Sequence, residues 1–232
     1  IAARWRAAYG EAALTGLALA AREEPPTDLS LKPGVDPAAV AEGVDGEVLA
    51  GGAVRTGRRG DVAAWPTFEA GDWWVQDAAA AVPGRLLGVK SGETVLDMCA
   101  APGGKTLQLA AAGGQVVALD RSAPRLKRLA QNLERTGLTA EVVAVPAEDW
   151  DDARTFDAVL LDAPCTATGT FRRNPEVLRA TRPADVAKLA DVQHRLLDAA
   201  AERVKPGGRL VYCTCSLERE EGETQIIAFL RR

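Results

Sequence analysis

Histidine, paired cysteines and long apolar runs are scarce in this chain, and each scarcity excludes a class of protein. His194 is the only histidine and the four cysteines form no C-x-x-C pair, so the sequence argues against a metal site. Four cysteines among 232 residues also do not make a disulfide framework. No apolar run approaches the roughly 18 residues that span a bilayer, and no secretory signal pattern is present. We therefore expect a cytoplasmic protein with no metal and no membrane attachment.

The composition is that of a globular protein, 47% hydrophobic and 26% charged, and its length suits one full domain with a small appendage. The net charge of −4 argues mildly against a nucleic-acid partner, because binding to phosphates normally needs a basic surface. Two clusters of arginines qualify this, although composition alone predicts ordinary solvated faces for them: Arg55, Arg58 and Arg59 in one, and Arg172, Arg173, Arg179 and Arg182 in the other.

Three segments follow one another along the chain. Residues 1–25 are expected to form a helical linker, and residues 26–72 a small α+β module of short strands and turns. In residues 73–232 short apolar runs alternate with helical stretches, which predicts an α/β fold with a doubly wound, mostly parallel sheet. The five predicted strands of this sheet are Thr94–Met98, Gln115–Leu119, Glu141–Val145, Phe156–Leu161 and Arg209–Thr214.

A loop of small residues after the first of these strands suits a nucleoside ligand. Cys99–Gly104 carries two glycines and precedes a helix, so a ligand can approach the backbone closely. The loop fits neither a P-loop, which needs a glycine where Cys99 stands, nor the dinucleotide pattern G-x-G-x-x-G. Asp120 ends the second strand, where an acid can accept hydrogen bonds from both hydroxyls of a ribose. A helix cap is the simpler role for Asp120, but with the loop upstream it indicates an adenosyl ligand.

Two cysteines lie beyond the ends of the fourth and fifth strands. Asp162 and Cys165 follow the fourth strand, and Cys215 follows the fifth. Strands 4 and 5 are neighbours in a doubly wound sheet, so we expect these three side chains to converge on one crevice. We expect Cys99 and Cys213, by contrast, to be inert small apolar side chains.

Two thiols and a carboxylate suit methylation of cytosine at carbon 5, an atom too weakly nucleophilic to attack a methylsulfonium directly. A thiolate that adds to carbon 6 converts the ring into an enamine, and carbon 5 becomes reactive. A carboxylic acid near ring nitrogen 3 stabilises the charge that develops. A base must then remove the proton of carbon 5 so that the thiolate can leave. The spacing of the two cysteines does not assign these roles.

The same segments resemble the Sun/RsmB family of RNA 5-methylcytosine methyltransferases, which includes the eukaryotic NSUN enzymes. The resemblance is strong over roughly residues 70–227 and loose before them. The pair of motifs LDAPCTATG and TCS is highly specific. The matching segments are Val75–Asp77, Leu96–Thr106, Phe156–Gly169, Arg172–Pro175, Thr214–Ser216 and Glu220–Glu221.

This resemblance implies a role for each candidate residue. Cys215 is the attacking nucleophile and Cys165 assists release, whereas the pattern of DNA cytosine methyltransferases would make Cys165 the nucleophile. Asp162 touches the cytosine, Lys105 shapes the site, and RNA, specifically small-subunit ribosomal RNA, is the substrate. Arg172 and Arg173 are implied RNA contacts. The implied residues for binding S-adenosylmethionine are Cys99, Ala100, Ala101, Pro102, Gly103, Gly104, Lys105, Asp120, Arg125 and Asp162.

The chain also departs from the family pattern. The acid that the family often carries after the third strand is replaced by Pro146, so Glu148 or Asp149 is expected to substitute for it or the contact to be missing. Asn174 stands where histidine is commoner in the family. The family's N-terminal RNA-binding domain and last two strands are not found in this sequence. We therefore expect a fragment with weak activity or a tendency to oligomerise. The alternatives are a catalytically idle RNA-binding or scaffold domain, and a methyltransferase for DNA cytosine or protein.

Overall fold

The structure is a computed structural model that describes every residue from Ile1 to Arg232. Its helices are α1 (Ala2–Ala20), α2 (Pro37–Gly43), α3 (Val82–Leu87), α4 (Gly104–Ala111), α5 (Ala123–Thr136), α6 (Val177–Ala180), α7 (Pro183–Glu202) and α8 (Glu223–Leu230). Its strands are β1 (Thr27–Leu31), β2 (Gly46–Val48), β3 (Val54–Thr56), β4 (Trp73–Val75), β5 (Thr94–Met98), β6 (Gln115–Asp120), β7 (Glu141–Ala144), β8 (Phe156–Asp162) and β9 (Val204–Cys213). None of the helices combines the length and the hydropathy needed to cross a membrane.

The chain folds into two compact units. The sheet unit comprises Pro26–Asp162 and Ala199–Tyr212. The cysteine unit comprises Ile1–Pro25, Ala163–Asp198 and Cys213–Arg232. Each unit is therefore built from segments that are distant in the sequence.

The main sheet of the sheet unit confirms the predicted α/β class. Its strand order is β7-β6-β5-β8-β9, and the pairs β5–β6, β5–β8 and β6–β7 are parallel. Strand β5 has the predicted bounds, and its residues from Val95 to Met98 are buried. Near-continuous apolar strands of this kind are typical of parallel sheets that are covered on both faces.

Strand β9 differs from the prediction, because it begins at Val204 rather than at Arg209. The intervening Pro206-Gly207-Gly208 is a typical turn sequence. In the structure Gly207 has a φ of 78°, which lies in the left-handed region open to glycine. The strand is therefore able to continue through a local distortion.

Strand β4 connects the two sheets of the sheet unit. It pairs with β1 in a second, antiparallel sheet of order β2-β3-β1-β4, so this small sheet extends beyond the predicted module boundary at residue 72. Side chains that are adjacent in a strand point to opposite faces. Trp73 accordingly packs with Leu29 and Val54 of the small sheet, whereas Trp74 packs with Leu107 and Leu129 of the helices beside the main sheet.

Helix α1 belongs to the cysteine unit and is kinked at Gly10, whose φ of 84° and ψ of 170° are not helical. Three of its side chains hold the segment after Cys215. Trp5 Nε1 donates to Glu218 Oε1 at 2.9 Å, and Tyr9 Oη donates to the carbonyl of Leu217 at 2.6 Å. The guanidinium of Arg4 pairs with the Glu218 carboxylate at 2.7 Å.

Asp28 is a buried carboxylate of the small sheet that accepts hydrogen bonds from a neighbouring strand and from the segment after β4. It is 1% exposed, its two oxygens accept from Arg55 at 2.7 and 2.9 Å, and one of them also accepts from the backbone N–H of Ala78. We expect Asp28→Ala to lower the free energy of unfolding by about 2 kcal/mol, because it leaves donors without an acceptor. The same change at Glu47, an exposed residue opposite Arg55 in β2, should have a much smaller effect. Urea unfolding of both variants measures the difference, and equal losses would contradict this role.

Candidate active site

The loop between β5 and α4 contains two residues with a positive φ and leads directly into the first turn of α4. Cys99 has a φ of 62° and Gly103 a φ of 109°. A Cβ at Gly103 would lie 2.8 Å from Cγ of Leu129, so position 103 requires glycine for space as well as for its φ. The N–H groups in the first turn of α4 have no acceptor within the helix and are suited to an anionic group such as a carboxylate.

Asp120, at the end of β6, is 4% exposed and holds this loop in place. Its Oδ2 accepts from the N–H of Ala101 at 3.1 Å and its Oδ1 from the N–H of Ser122 at 2.8 Å. Arg125, on α5, donates to the carbonyl of Ala101 and lies 3.9 Å from the Asp120 carboxylate. Asp120 thus holds the glycine loop and the residue that precedes α5, but it does not cap the helix, whose N-cap is Ser122 without a side-chain cap. Each of its oxygens keeps a lone pair for a further donor.

Asp97 is a buried acid beneath the loop that the sequence analysis did not select. It lies within β5, is 0% exposed, and its Oδ2 accepts from Thr106 Oγ1 at 2.6 Å. Its Oδ1 is buried without any hydrogen-bond partner. Burial raises the pKa of this carboxyl to about 7, and the hydrogen bond from Thr106 opposes the shift. An acid within an otherwise apolar, buried strand was the signal that could have identified it.

Lys105 and Asp162 form an ion pair within the sheet unit. Lys105 Nζ lies 2.8 Å from Asp162 Oδ2, and both side chains are largely shielded from water, with exposed fractions of 15% and 34%. The pair brings together the second residue of α4 and the last residue of β8. The ammonium of Lys105 lies against the carboxylate of Asp162 and offsets its negative charge at this partly buried position.

In the cysteine unit, the structure brings the two selected cysteines into contact. Cys165 Sγ lies 3.4 Å from Cys215 Sγ. The Cys215 side of the pair is exposed, whereas Cys165 is partly buried. The hydrogen bond with Cys215 and burial together raise the pKa of the Cys165 thiol above its ordinary value. The Cys165 thiol therefore holds its proton more tightly than an ordinary cysteine, and the Cys215 thiol is the one open to solvent.

The other two cysteines lie elsewhere. Burial raises the pKa of Cys99 to about 12, so its thiol stays protonated and behaves as a small apolar group. Cys213 ends β9, and its carbonyl accepts from the N–H of Ala163 at 2.9 Å. The convergence of Asp162 with the pair Cys165–Cys215 stays a prediction.

The two arginines selected as RNA contacts differ in their surroundings. Arg172 is half-buried, and its Nε donates to the carbonyl of Ala20 at the end of α1. Arg173 is exposed. Glu148 and Asp149, the expected substitutes for the missing acid, lie in a short 3₁₀ turn and are both exposed. The binding roles of these residues stay predictions.

Taken with the parallel sheet, the glycine loop followed by an acid at the end of the next strand defines the class I fold of S-adenosylmethionine-dependent methyltransferases. Residues 85–232 match the model of the 16S rRNA methyltransferase RsmB/F family, and the chain belongs to that family. It is 46% identical over 177 residues to the ribosomal RNA small subunit methyltransferase B of Vibrio cholerae. That match covers 74% of this chain and 41% of the relative, so the chain spans about two fifths of the length of this relative.

Two solved structures from Pyrococcus horikoshii have the same fold. A methyltransferase homolog protein is 30% identical with a TM-score of 0.85, and the match covers 99% of this chain and 77% of that one. The NSun6 of this organism, crystallised with SFG, is 32% identical with a TM-score of 0.69, and the match covers 75% of this chain and 46% of that one. The family resemblance noted from the sequence motifs is confirmed.

The raised pKa of Asp97 predicts a pH dependence of stability. An unfolded aspartate ionises near pH 3.9, whereas the folded carboxyl stays neutral up to about pH 7. Its contribution to stability is therefore fully present below about pH 4 and is lost as the pH rises to about 7, by up to about 1.4 kcal/mol per pH unit. Relative to the wild type, Asp97→Asn should gain stability over this range. Urea unfolding from pH 4 to 8 checks this, and a constant difference between the two proteins would contradict it.

The contact between the thiols predicts a shift in the reactivity of Cys165. Because Cys215 is the largest cause of the raised pKa of Cys165, Cys215→Ala should lower that pKa. The midpoint of the pH profile for alkylation of Cys165 by iodoacetamide should then move to lower pH. Mass spectrometry of the separated peptides measures it, with Cys213→Ala as the matched control. An unchanged midpoint in Cys215→Ala would show that the contact does not govern the ionisation of Cys165.

Proposed function

We propose that this chain transfers a methyl group from S-adenosylmethionine to carbon 5 of a cytosine in RNA, through a covalent adduct with Cys215. The observation that carries the proposal is the contact of two thiols, one exposed and one with a raised pKa. An addition and elimination on one ring requires a nucleophile and a proton acceptor, and two adjacent thiols of different exposure can supply them. The ribosomal RNA methyltransferase named among the relatives supports small-subunit ribosomal RNA as the substrate and the cytoplasm as the location.

The residues of the glycine loop fit the proposed cofactor. When bound, S-adenosylmethionine supplies an electrophilic methyl group on a sulfonium. Its ribose suits the free lone pairs of Asp120, and its carboxylate suits the first-turn amides of α4. The unpaired Oδ1 of Asp97 favours a positively charged ligand beside the loop, because a buried carboxylate oxygen without a partner is costly. Residues Cys99–Gly104, with Lys105, Arg125 and Asp162, complete the proposed binding set.

In the proposed reaction the thiolate of Cys215 adds to carbon 6 of cytosine, and Asp162 stabilises the charge that the ring develops. Lys105 keeps the Asp162 carboxylate oriented through their 2.8 Å contact. Cys165 stays protonated at this stage, because the contact with Cys215 and burial raise the pKa of its thiol. In this scheme Cys215 attacks the ring, Asp162 stabilises the charge of the ring, and Cys165 is kept for the proton transfer.

The same contact explains how Cys165 can serve release. Once the sulfur of Cys215 is bonded to carbon 6 it no longer carries a negative charge, so the main cause of the raised pKa of Cys165 is removed. Cys165 can then lose its proton to solvent water, and its thiolate acts as the base for the proton on carbon 5. Loss of that proton restores the double bond between carbons 5 and 6, breaks the bond between carbon 6 and sulfur, and frees Cys215 as a thiolate.

A covalent trap tests the proposal. Cys165→Ala, incubated with unmodified small-subunit ribosomal RNA and S-adenosylmethionine, should accumulate a protein–RNA adduct that survives denaturing electrophoresis, because attack proceeds and release does not. The adduct should disappear in Cys165→Ala/Cys215→Ala and persist in the matched control Cys165→Ala/Cys213→Ala.

Three results would count against the proposal. An adduct that survives the loss of Cys215 would assign the attack to another residue. Equal trapping of a single-stranded DNA of the same sequence would remove the preference for RNA. RNA binding without any adduct, in a protein that binds the cofactor in equilibrium dialysis, would favour an idle RNA-binding domain.

A further inference from the structure

Glu221 is a fully buried carboxylate in the cysteine unit. It is 0% exposed and belongs to the short 3₁₀ turn Arg219–Glu221 that precedes α8. Both of its oxygens accept two hydrogen bonds. Oε1 accepts from the N–H of Thr166 at 2.9 Å and from Gln193 Nε2 at 3.0 Å. Oε2 accepts from the hydroxyls of Thr166 and Ser216, both at 2.5 Å.

Two of the three residues that donate to this carboxylate are the direct neighbours of the two cysteines. Thr166 follows Cys165 in the chain, and Ser216 follows Cys215. One side chain therefore holds the residue after each thiol, from an element that carries neither thiol. Displacement of the backbone of either neighbour is transmitted to the Cα of the adjacent cysteine, because the two residues share a rigid peptide plane.

The Glu221 carboxylate is the shared acceptor of this network, because each neighbouring hydroxyl has a single proton to donate. Thr166 and Ser216 each have one hydroxyl proton, and each directs it to Glu221 at 2.5 Å. Their mutual distance of 3.2 Å is therefore a consequence of the shared acceptor and not a separate hydrogen bond. Ser216 Oγ is left to accept, and it does so from the N–H of Glu218 at 3.0 Å.

Neighbouring contacts stiffen the same two segments. The N–H of Gly169 donates to the carbonyl of Cys215 at 2.9 Å, and the N–H of Leu217 donates to Thr168 Oγ1 at 2.9 Å. Gln193, on α7, donates to the carbonyl of Pro164 at 2.9 Å as well as to Glu221. The segment that carries Cys165 is thus held on both sides of the cysteine, by Gln193 and by Glu221.

We propose that Glu221 is a positioning residue that sets the spacing of the Cys165 and Cys215 thiols. The distance between the two thiols can be tested whatever the protein does. Only the effect of that distance on methyl transfer rests on the function proposed above. The first experiment therefore measures the geometry of the thiols without RNA or cofactor.

Phenylarsine oxide is the probe for that geometry. It condenses with two adjacent thiols, forming two sulfur–arsenic bonds and releasing water, with no change in the oxidation state of arsenic. Cys215→Ala gives the background rate of capture, because Cys165 then has no partner thiol. The difference from the wild type is the capture that is due to the pair. Capture by the wild type should be rapid, and Glu221→Ala should slow it at least tenfold. The matched control is Glu220→Ala, which removes the adjacent, exposed carboxylate that pairs with Arg4 and should capture at the wild-type rate.

Glu221→Gln separates positioning from general stability. Its amide keeps one oxygen for the N–H of Thr166 and for Gln193, and its NH₂ group can donate to the two hydroxyls, which turn to accept. Capture should therefore recover to within about threefold of the wild type. A folded Glu221→Ala protein that captures the arsenical as fast as Glu220→Ala overturns the proposal. If Glu221→Ala does not fold, Thr166→Val, which removes one hydroxyl donor and keeps the side-chain shape, takes its place under the same criterion.

The effect on the reaction is measured separately. Glu221→Ala should lower kcat for RNA methylation about 100-fold with the KM for S-adenosylmethionine unchanged, because a displaced nucleophile slows chemistry without weakening ligand binding. Glu221→Gln should restore most of kcat. If Glu221→Ala slows arsenical capture but leaves kcat unchanged, the result would support the role of Glu221 in setting the thiol spacing. It would reject the proposed catalytic roles of the two thiols. A raised KM with unchanged kcat would overturn the positioning role in catalysis.

Discussion

The register between β8 and β9 is the constraint on which the thiol pair depends. The N–H of Phe156 donates to the carbonyl of Arg203 near the start of the pairing, and the N–H of Ala163 donates to the carbonyl of Cys213 at its end. Each selected cysteine lies two residues beyond the second of these bonds. A shift of one strand by one residue would turn one side chain away from the other. The backbone pairing therefore brings the two segments side by side, which is a precondition for the 3.4 Å contact of the two sulfurs.

Buried carboxylates then stabilise the loops that follow the strands. Asp120 accepts hydrogen bonds from two backbone N–H groups and Glu221 accepts four hydrogen bonds, which offset the loss of water around these buried groups. Asp97 accepts one hydrogen bond and has one orphaned oxygen, and its pKa is raised accordingly. Asp97 therefore differs from the other two acids in having a buried oxygen without a hydrogen-bond partner.

The sequence motifs predicted the family and the main sheet, whereas several features of the surrounding structure were not predicted. The strand bounds of β5, the parallel sheet and the family were correct, because an apolar strand and a glycine loop are local signals. The placement of Trp73 and Trp74 in two different cores was missed, since a short W-W-V strand does not reveal which sheet it joins. The kink of α1 at Gly10 was missed for a similar reason, because a single glycine is tolerated within a helix.

The sequence by itself determined which residue types are available and in which order the strands and loops present them: a glycine loop, an acid after the next strand and a cysteine after each of two further strands. Only the tertiary structure decided which cysteine is exposed, that the pKa of the Cys165 thiol is raised, and which buried acid holds the residues beside the two cysteines. Exposure and pKa depend on what packs around a group, and those neighbours are distant in sequence. Thr166 and Glu221 are separated by 55 positions and still share a hydrogen bond of 2.5 Å.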